Sequence, residues 1–325
     1  MKALVTGANG FSGSHLVKAL ERQGHSVVGL VRQSSNLSRL ANTNVRLVYG
    51  DITDRQALKT AMAEVDTIFH LAALVDLGLV NEAEMERVNV AGTQAVLEVA
   101  QEMGGQSPKI VYCSTIGVFG DTNGQTIDET FQRTQSDFSS AYDRTKFQAQ
   151  QLVDQAAQQG LWVVSVLPAG ILGPDDPHFG PVMKLFLSGR LLFWPGGQRV
   201  TGIVHVDDVV NAMILAVERG QSGERYILST GDLTTQNMFG ILSQETGLPI
   251  PSEPPQFLIR LIGQLLDPVG RLFNWNPPLS SERVHYIYDR CVRVDASKAR
   301  QALGWRPRSV ENTLQEIIRE MQAAE

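Results

Sequence analysis

Tyr142 and Lys146 stand four residues apart in the run Tyr-Asp-Arg-Thr-Lys, a spacing that on a helix sets a phenol and an ammonium on one face about one turn apart. A free phenol titrates near pH ~10, too high for easy proton exchange near neutrality, and a cation held beside it favours the phenolate. The pair alone also fits a part-buried tyrosine next to a solvated lysine, so its surroundings decide the chemistry. Upstream, Ile110-Val-Tyr-Cys-Ser-Thr115 ends an apolar, strand-like run in two hydroxyls. Either Ser114 or Thr115 can hold a carbonyl oxygen for Tyr142 if that strand end faces the same cleft.

A second stretch, Ala3-Leu-Val-Thr-Gly-Ala-Asn-Gly-Phe-Ser-Gly13, passes from an apolar strand through three glycines into a helical pattern running from about Gly10 to Arg22. Gly7 suits a tight turn, Gly10 a close approach of backbone to a pyrophosphate, and Gly13 close packing of helix on strand. The N–H groups at the helix start would face the phosphates, so the anion needs no lysine. This reads as a dinucleotide site.

Further strands are expected at Ser26–Val31, Val45–Tyr49, Thr67–Leu71, Ile110–Ser114 and Trp162–Leu167, with helices at Arg55–Ala63, Leu79–Glu102 and Ala141–Gln159. Strand and helix alternate, which indicates an α/β, Rossmann-type doubly wound parallel sheet with ligands at the carboxyl ends of its strands. Beyond Pro174 the chain becomes richer in turns. Residues 1–174 are therefore read as the dinucleotide-binding domain, with 203–222 returning to its main sheet as a strand and a helix. Residues 175–202 and 223–325 are read as a smaller, interleaved substrate lobe.

The 325 residues carry a net charge of −6 and 43% hydrophobic residues. That is enough for a large core, and no basic run interleaved with aromatics suggests a nucleic-acid surface. Cys113 and Cys291 lie outside any Cys/His cluster, so no metal is expected and the thiols read as reduced, consistent with a cytoplasmic protein. No run reaches the ~20 apolar residues of a membrane span. The apolar segment Pro255–Asp267 reads first as a pocket cover or a subunit contact, which would admit a homodimer, and second as a surface lying on a membrane. His70 and His205 read as fold histidines, because Tyr142 already fills the acid/base role.

Taken together, these motifs resemble the extended short-chain dehydrogenase/reductases, of the epimerase/dehydratase and dihydroflavonol-reductase-like group, over nearly the whole chain. Thr6-Gly-Ala-Asn-Gly-Phe-Ser-Gly13 is similar to that family's TGxxGxxG, and with it Asn9 and Phe11 are implied beside the cofactor. Gly50-Asp-Ile52 is similar to its adenine-contacting segment (Asp51, Ile52), and His70-Leu-Ala-Ala73 to the loop passing the cofactor (Leu71, Ala72, Ala73). Asn89 matches the asparagine of VNxxGT, and Cys113-Ser-Thr-Ile-Gly-Val-Phe-Gly120 resembles SSxxVYG. Leu167-Pro-Ala-Gly-Ile-Leu-Gly-Pro174, which contains Pro168, His205-Val-Asp-Asp208 and Asp295-Ala-Ser-Lys-Ala-Arg-Gln-Ala-Leu-Gly-Trp305 complete the match. The resemblance implies Thr115 as the catalytic hydroxyl, Tyr142 as the acid/base and Lys146 as the ligand of the nicotinamide ribose. It implies hydride transfer between a nicotinamide and a substrate carbonyl or hydroxyl.

The end of the second strand bears on which dinucleotide is used. Gly29-Leu-Val-Arg-Gln-Ser-Ser35 offers no carboxylate for a ribose 2′-hydroxyl, whereas Arg32, with Ser34, suits a 2′-phosphate. NADP(H) is therefore favoured, and NAD(H) remains the alternative. The substrate leaning comes from departures. Ile116 and Gly117 stand where the resembled dehydratases carry an acidic pair, and Gly170 and Thr201 stand where sugar-nucleotide epimerases place an asparagine and an arginine. A small or medium, partly apolar carbonyl or hydroxy compound fits better, held near Thr115, Tyr142, Gly170 and Phe179, with Phe186, Phe193 and Trp194 either lining the pocket or packing the lobe. The other readings are an NAD-retaining sugar 4-epimerase and, from another class, a dinucleotide-sensing scaffold without turnover.

Overall fold

In a computed structural model, which describes residues 1–323, seven parallel strands form the central sheet. In chain order they are β1 (Lys2–Thr6), β2 (Ser26–Val31), β3 (Arg46–Tyr49), β4 (Thr67–His70), β5 (Lys109–Cys113), then, after the short β6 (Thr126–Ile127), β7 (Val163–Pro168). The strands β8 (Gly170–Leu172) and β9 (Val200–His205) follow, and β10 (Arg225–Leu228) completes the sheet. Their order across the sheet is β10-β7-β5-β4-β1-β2-β3. The chain leaves β1 in one direction and resumes at β4 in the other, so the topological switch lies between them, where a ligand crevice opens at the carboxyl ends.

Both faces are covered, which is why the strands read as continuous apolar runs rather than alternating ones. Ala3 and Val5 enter a core with helix α1 (Phe11–Arg22), while Leu4 between them enters the opposite core. That opposite core holds α2 (Arg55–Met62) and, after the single-turn α3 (Glu82–Glu86), α4 (Gly92–Glu102) and α5 (Ala141–Gln158).

Two expectations change. The helix expected from Leu79 to Glu102 is broken by a wide π turn over Arg87–Ala91. The turn carries the buried Asn89, whose amide accepts from Leu74 N (2.7 Å) and donates to Leu74 O and Thr145 Oγ1 (both 3.0 Å). Side-chain bonding to a loop thus competes with a regular helix, as is common for π turns near functional sites. The return to the main sheet expected over 203–222 is made by α7 (Val206–Arg219), which follows α6 (Gly180–Leu187), and by β10 rather than by β9. The position beside β7 is taken by β10, so β9 pairs with β8 and with β11 (Gly231–Thr234) in a separate three-stranded sheet.

The lobe is completed by α8 (Thr235–Thr246), α9 (Gln256–Leu272), α10 (Ser281–Tyr288), β12 (Arg293–Val294), α11 (Ser297–Ala302) and α12 (Val310–Ala323). Its own core gathers Met183, Phe186, Phe239, Leu242, Leu314 and Ile318.

Candidate active site

The glycine loop has little room for side chains. Gly7 sits at φ +70°, where a Cβ would meet the Ala72 backbone at 3.0 Å, and a Cβ on Gly13 would lie 2.1 Å from the Gly7 carbonyl oxygen. The first constraint selects glycine by conformation, the second by the closeness of α1 to the loop. Gly10 caps α1 without a side-chain hydrogen bond, and no acidic residue occupies its first turn. Free N–H groups and a backbone that closely approaches its surroundings fit a dinucleotide pyrophosphate.

Facing this loop across the switch point, Leu71, Ala72 and Ala73 follow β4. Their register is held by a neutral chain of hydrogen bonds. The Leu71 and Ala72 N–H groups donate to Thr6 Oγ1 (3.2 and 3.1 Å), which contacts His70 Nδ1 at 2.8 Å. His70 Nε2 in turn meets Thr93 Oγ1 at 3.0 Å, and Thr93 donates to Asn89 O at 2.7 Å. With the Thr93 proton so used, His70 donates from Nε2 and accepts at Nδ1, which assigns the tautomer. Burial, aided by the Lys146 charge, lowers the His70 pKa to about 3, so the ring is neutral. His70 is a fold histidine, as expected.

The carboxyl ends of β5 and β7 bring up Thr115 and Pro168. Thr115 is extended (φ −159°) and caps a single turn, Ile116–Phe119, accepting from Gly117 N at 3.1 Å. Its own hydroxyl hydrogen is engaged by no other group among the described residues and is left free to donate. Ser114 is buried and its Oγ has no partner.

Helix α5 is capped by Ser140 and delivers Tyr142 and Lys146 one turn apart, as the spacing implies. Lys146 is 3% exposed, and its Nζ donates to Cys113 O at 2.8 Å while lying 4.4 Å from the Tyr112 ring centre. Burial lowers its pKa to about 8, against the opposing pull of Cys113. The expected depression of Tyr142 is not what this environment produces. Burial first, then Cys113 and Asp143, push the phenol well above its ordinary value, because Lys146 is held on a backbone carbonyl and a desolvated phenolate is unfavourable.

The remaining residues fall in two groups. Arg32 and Ser34 are exposed beyond β2, in a turn where Ser35 Oγ accepts from Arg32 N at 3.1 Å. Asn9 reaches toward them, donating to Asn36 O at 3.4 Å. Beyond β3, Ile52 is buried and Asp51 forms a two-point ion pair with Arg87 (2.7 and 3.1 Å) that holds the carboxyl well below its usual range. Gly170 lies at the start of β8, exposed and in register with Ile203. Phe179, by contrast, packs edge-on against Trp194 (6.5 Å) in the lobe core, where Phe186 is also buried, and Phe193 is 64% exposed. The aromatics are mainly lobe packing.

Several contributors carry no spacing signal. Arg290, on the segment after α10, is buried and donates from Nε to Asp143 Oδ2 at 3.0 Å, immediately beside Tyr142. Arg87 and the Cys113 carbonyl are likewise invisible as motifs. Arg39, seven residues after Arg32, lies 5.8 Å from the Phe11 ring and pairs with Asp175.

The geometry has a counterpart among known proteins. A model of the NAD dependent epimerase/dehydratase family matches residues 3–229. The chain belongs to that family. A sterol demethylase protein B from Methylococcus capsulatus is 32% identical over 328 residues, covering 98% of this chain and 97% of the relative. A 4-hydroxy-2-methyl-3-oxo-4-farnesyl-3,4-dihydroquinoline-1-oxide ketoreductase from Stigmatella aurantiaca is 36% identical, covering 76% of this chain and 73% of its own. Among solved structures, a UDP-glucose 4-epimerase from Thermotoga maritima superposes with a TM-score of 0.80 at 25% identity, covering 100% and 99% of the two chains. The chain is thus an extended short-chain dehydrogenase/reductase of the epimerase/dehydratase family, and a nicotinamide dinucleotide is the cofactor this membership indicates.

Proposed function

We infer that the protein is an NADP(H)-preferring oxidoreductase that interconverts a carbonyl and a hydroxyl on a small or medium, partly apolar substrate. What supports this reading is that Lys146, one turn after Tyr142 on α5, donates to the carbonyl of Cys113 at the end of β5, two residues before Thr115, whose hydroxyl hydrogen has no partner among the described residues, and that the glycine loop after β1 has little room for side chains. Gly7, Gly10, Gly13, Leu71–Ala73 and Lys146 would hold the dinucleotide, and when bound it supplies or accepts the hydride. Thr115, its oxygen already accepting from Gly117, donates to the substrate oxygen and orients it. Tyr142 delivers the proton to that oxygen in the reductive direction. Its raised pKa keeps the proton in place at neutral pH, and its release depends on the negative charge that develops on the substrate oxygen as hydride arrives. Lys146 is anchored by Cys113 O with donors left over for a ribose hydroxyl.

Gly170 and Thr201 support the substrate leaning, since a sugar nucleotide would find neither an amide nor a guanidinium at those positions. Two relatives whose names refer to a sterol and to a farnesylated ketone agree with an apolar substrate. Oxidation of NADPH against a panel of alkyl, aryl and terpenoid ketones is the direct test. Tyr142→Phe should keep NADPH affinity and lower kcat by about 10²-fold or more, the usual worth of a positioned acid. Near-normal turnover by the folded variant, or tightly retained NAD with no ketone turnover, would overturn the reading.

A further inference from the structure

We propose that α9 is a lipid-docking face, by which the protein rests on the surface of an anionic bilayer beside its own active-site mouth. The helix turns its buried Ile259, Gly263 and Gly270 toward the protein. Phe257, Leu261, Ile262, Leu265, Val269 and Leu272 are all exposed, Phe257 by 68% and Leu272 by 78%. At ~100° per residue these six fall within an arc of about 140°, one continuous apolar stripe. Phe273 and Trp275 extend the stripe beyond the helix, 72% and 47% exposed. Leu192 and Phe193, each 64% exposed, join it at the other end, because Phe193 pairs with Ser252 just before the helix begins. A patch of this extent on a soluble surface calls for a partner.

Charge chooses among partners. The whole chain is at −6, yet residues 180–194 carry only Lys184 and Arg190 as charges, and residues 252–276 carry Arg260 and Arg271 against Glu253, which accepts from Gly197 N at 3.0 Å, and Asp267. Asp267 is turned inward to accept from Ser281 N at 3.1 Å and Arg260 is taken up by a two-point pair with Asp289, while Lys184, Arg190 and Arg271 have no ion pair among the described residues. An acidic protein that flanks this apolar stripe with cations left unpaired among the described residues, Lys184, Arg190 and Arg271, is complementary to anionic headgroups over acyl chains. It is less suited to a second copy of itself, which would set like charges together. The helix cannot cross: none among the described residues is long and apolar enough.

The position adds a use. The segment after α9 clasps the loop that leaves the cofactor edge, with Asn276 donating to Leu77 O at 2.9 Å, Arg283 donating to Leu77 O at 3.1 Å, and Leu79 lying against Gly270. The lipid-facing helix is thereby tied to the loop that follows Leu71–Ala73, which sets the docking face on the route an apolar substrate would take from bilayer to cleft.

Co-sedimentation of the full chain with vesicles, in the absence of substrate, tests the proposal independently of any enzymatic activity. Binding is expected to vesicles containing about a third phosphatidylglycerol, weaker to phosphatidylcholine alone and weakened by salt. A double Leu261→Glu, Leu265→Glu variant should lose at least about tenfold in partitioning with an unchanged melting temperature, and Arg271→Gln should lose a smaller factor on anionic vesicles only. Wild-type protein that stays in the supernatant, or a double variant that sediments equally, overturns the proposal. So does a wild-type dimer that ignores vesicles and becomes monomeric in the double variant, which would assign the face to a second copy.

Discussion

The two sides of the cleft are held together by different physics. On the dinucleotide side the crevice is set by backbone and neutral groups: Gly7 against Ala72, Gly13 against Gly7, and the relay from Thr6 through His70 to Thr93 and Asn89. On the lobe side the seam is ionic. Arg290 reaches the buried Asp143 beside Tyr142, Arg308 donates to His205 (2.7 Å) and Asp208 (3.1 Å), and His15 bridges Asp207 (2.8 Å) and Asp175 (3.1 Å). The neutral relay is insensitive to pH and salt over the ordinary range, because its one titratable member is locked neutral. The partly exposed members of the ionic seam, His15 with Asp175 and Asp207 and Arg308 with Asp208, have no such protection. Cofactor binding should therefore be robust where the packing of the lobe against the dinucleotide side responds to pH and salt.

The largest break in this contrast comes at Arg290. Both side chains of its pair are almost fully buried, 7% exposed for Arg290 and 1% for Asp143, and Asp143 Oδ1 has no partner of its own. Arg290→Met leaves a carboxylate in the interior, a loss that typically costs about 3–5 kcal/mol. Denaturant unfolding should show that loss, and adding Asp143→Leu should recover most of it. If Arg290→Met is neutral, the seam does not depend on this pair.

This contrast also explains what could be read in advance. The glycine loop, the six main strands up to β7 and the Tyr142/Lys146 pair are legible because each depends on spacing within one element or on a strand and the helix after it. The lobe's contribution is not. Asp143 and Arg290 are 147 residues apart, and nothing local marks either. The anchor of Lys146 is a backbone carbonyl, which every residue has. Tyr142 carries a raised rather than lowered pKa because burial, a tertiary quantity, outweighs the neighbour that sequence spacing suggests. Asn89 was legible as a motif residue, but its clamp on Leu74 and Thr145 was not, since it needs the wide turn at Arg87–Ala91.

A smaller effect is expected at the one place on the dinucleotide side that depends on an exposed charge. Arg32 is solvent-facing and free of ion pairs among the described residues. A contact with a 2′-phosphate would be charge-assisted, worth about 1.5–3 kcal/mol. Arg32→Ala should then lower kcat/KM for NADPH by about 10- to 100-fold more than for NADH. An equal loss for both cofactors would remove Arg32 from that role and point to Arg39, the second guanidinium on that side.

The last expected effect is a pH dependence carried by the ionic seam. Burial pulls the His15 pKa down, but hydrogen bonds and charge from Asp175 and Asp207 overcome it and raise the ring to about 9, above its ordinary 6.5. Between those values the folded protein holds a proton that the unfolded chain releases. The stabilisation is therefore complete below pH 6.5 and is lost as pH rises toward 9. Lys146 slopes the opposite way, since its folded value of about 8 lies below its ordinary 10.5, so that stability increases with pH between the two. The two contributions separate between about pH 6.5 and 8, where Lys146 is charged in both states and only His15 titrates. In that window the melting temperature of the wild type should fall with rising pH more steeply than that of His15→Gln. Parallel pH profiles for the two proteins would show that the bridge from α1 to Asp207 and Asp175 does not hold its proton, and the lobe-side seam would then rest on its arginines alone.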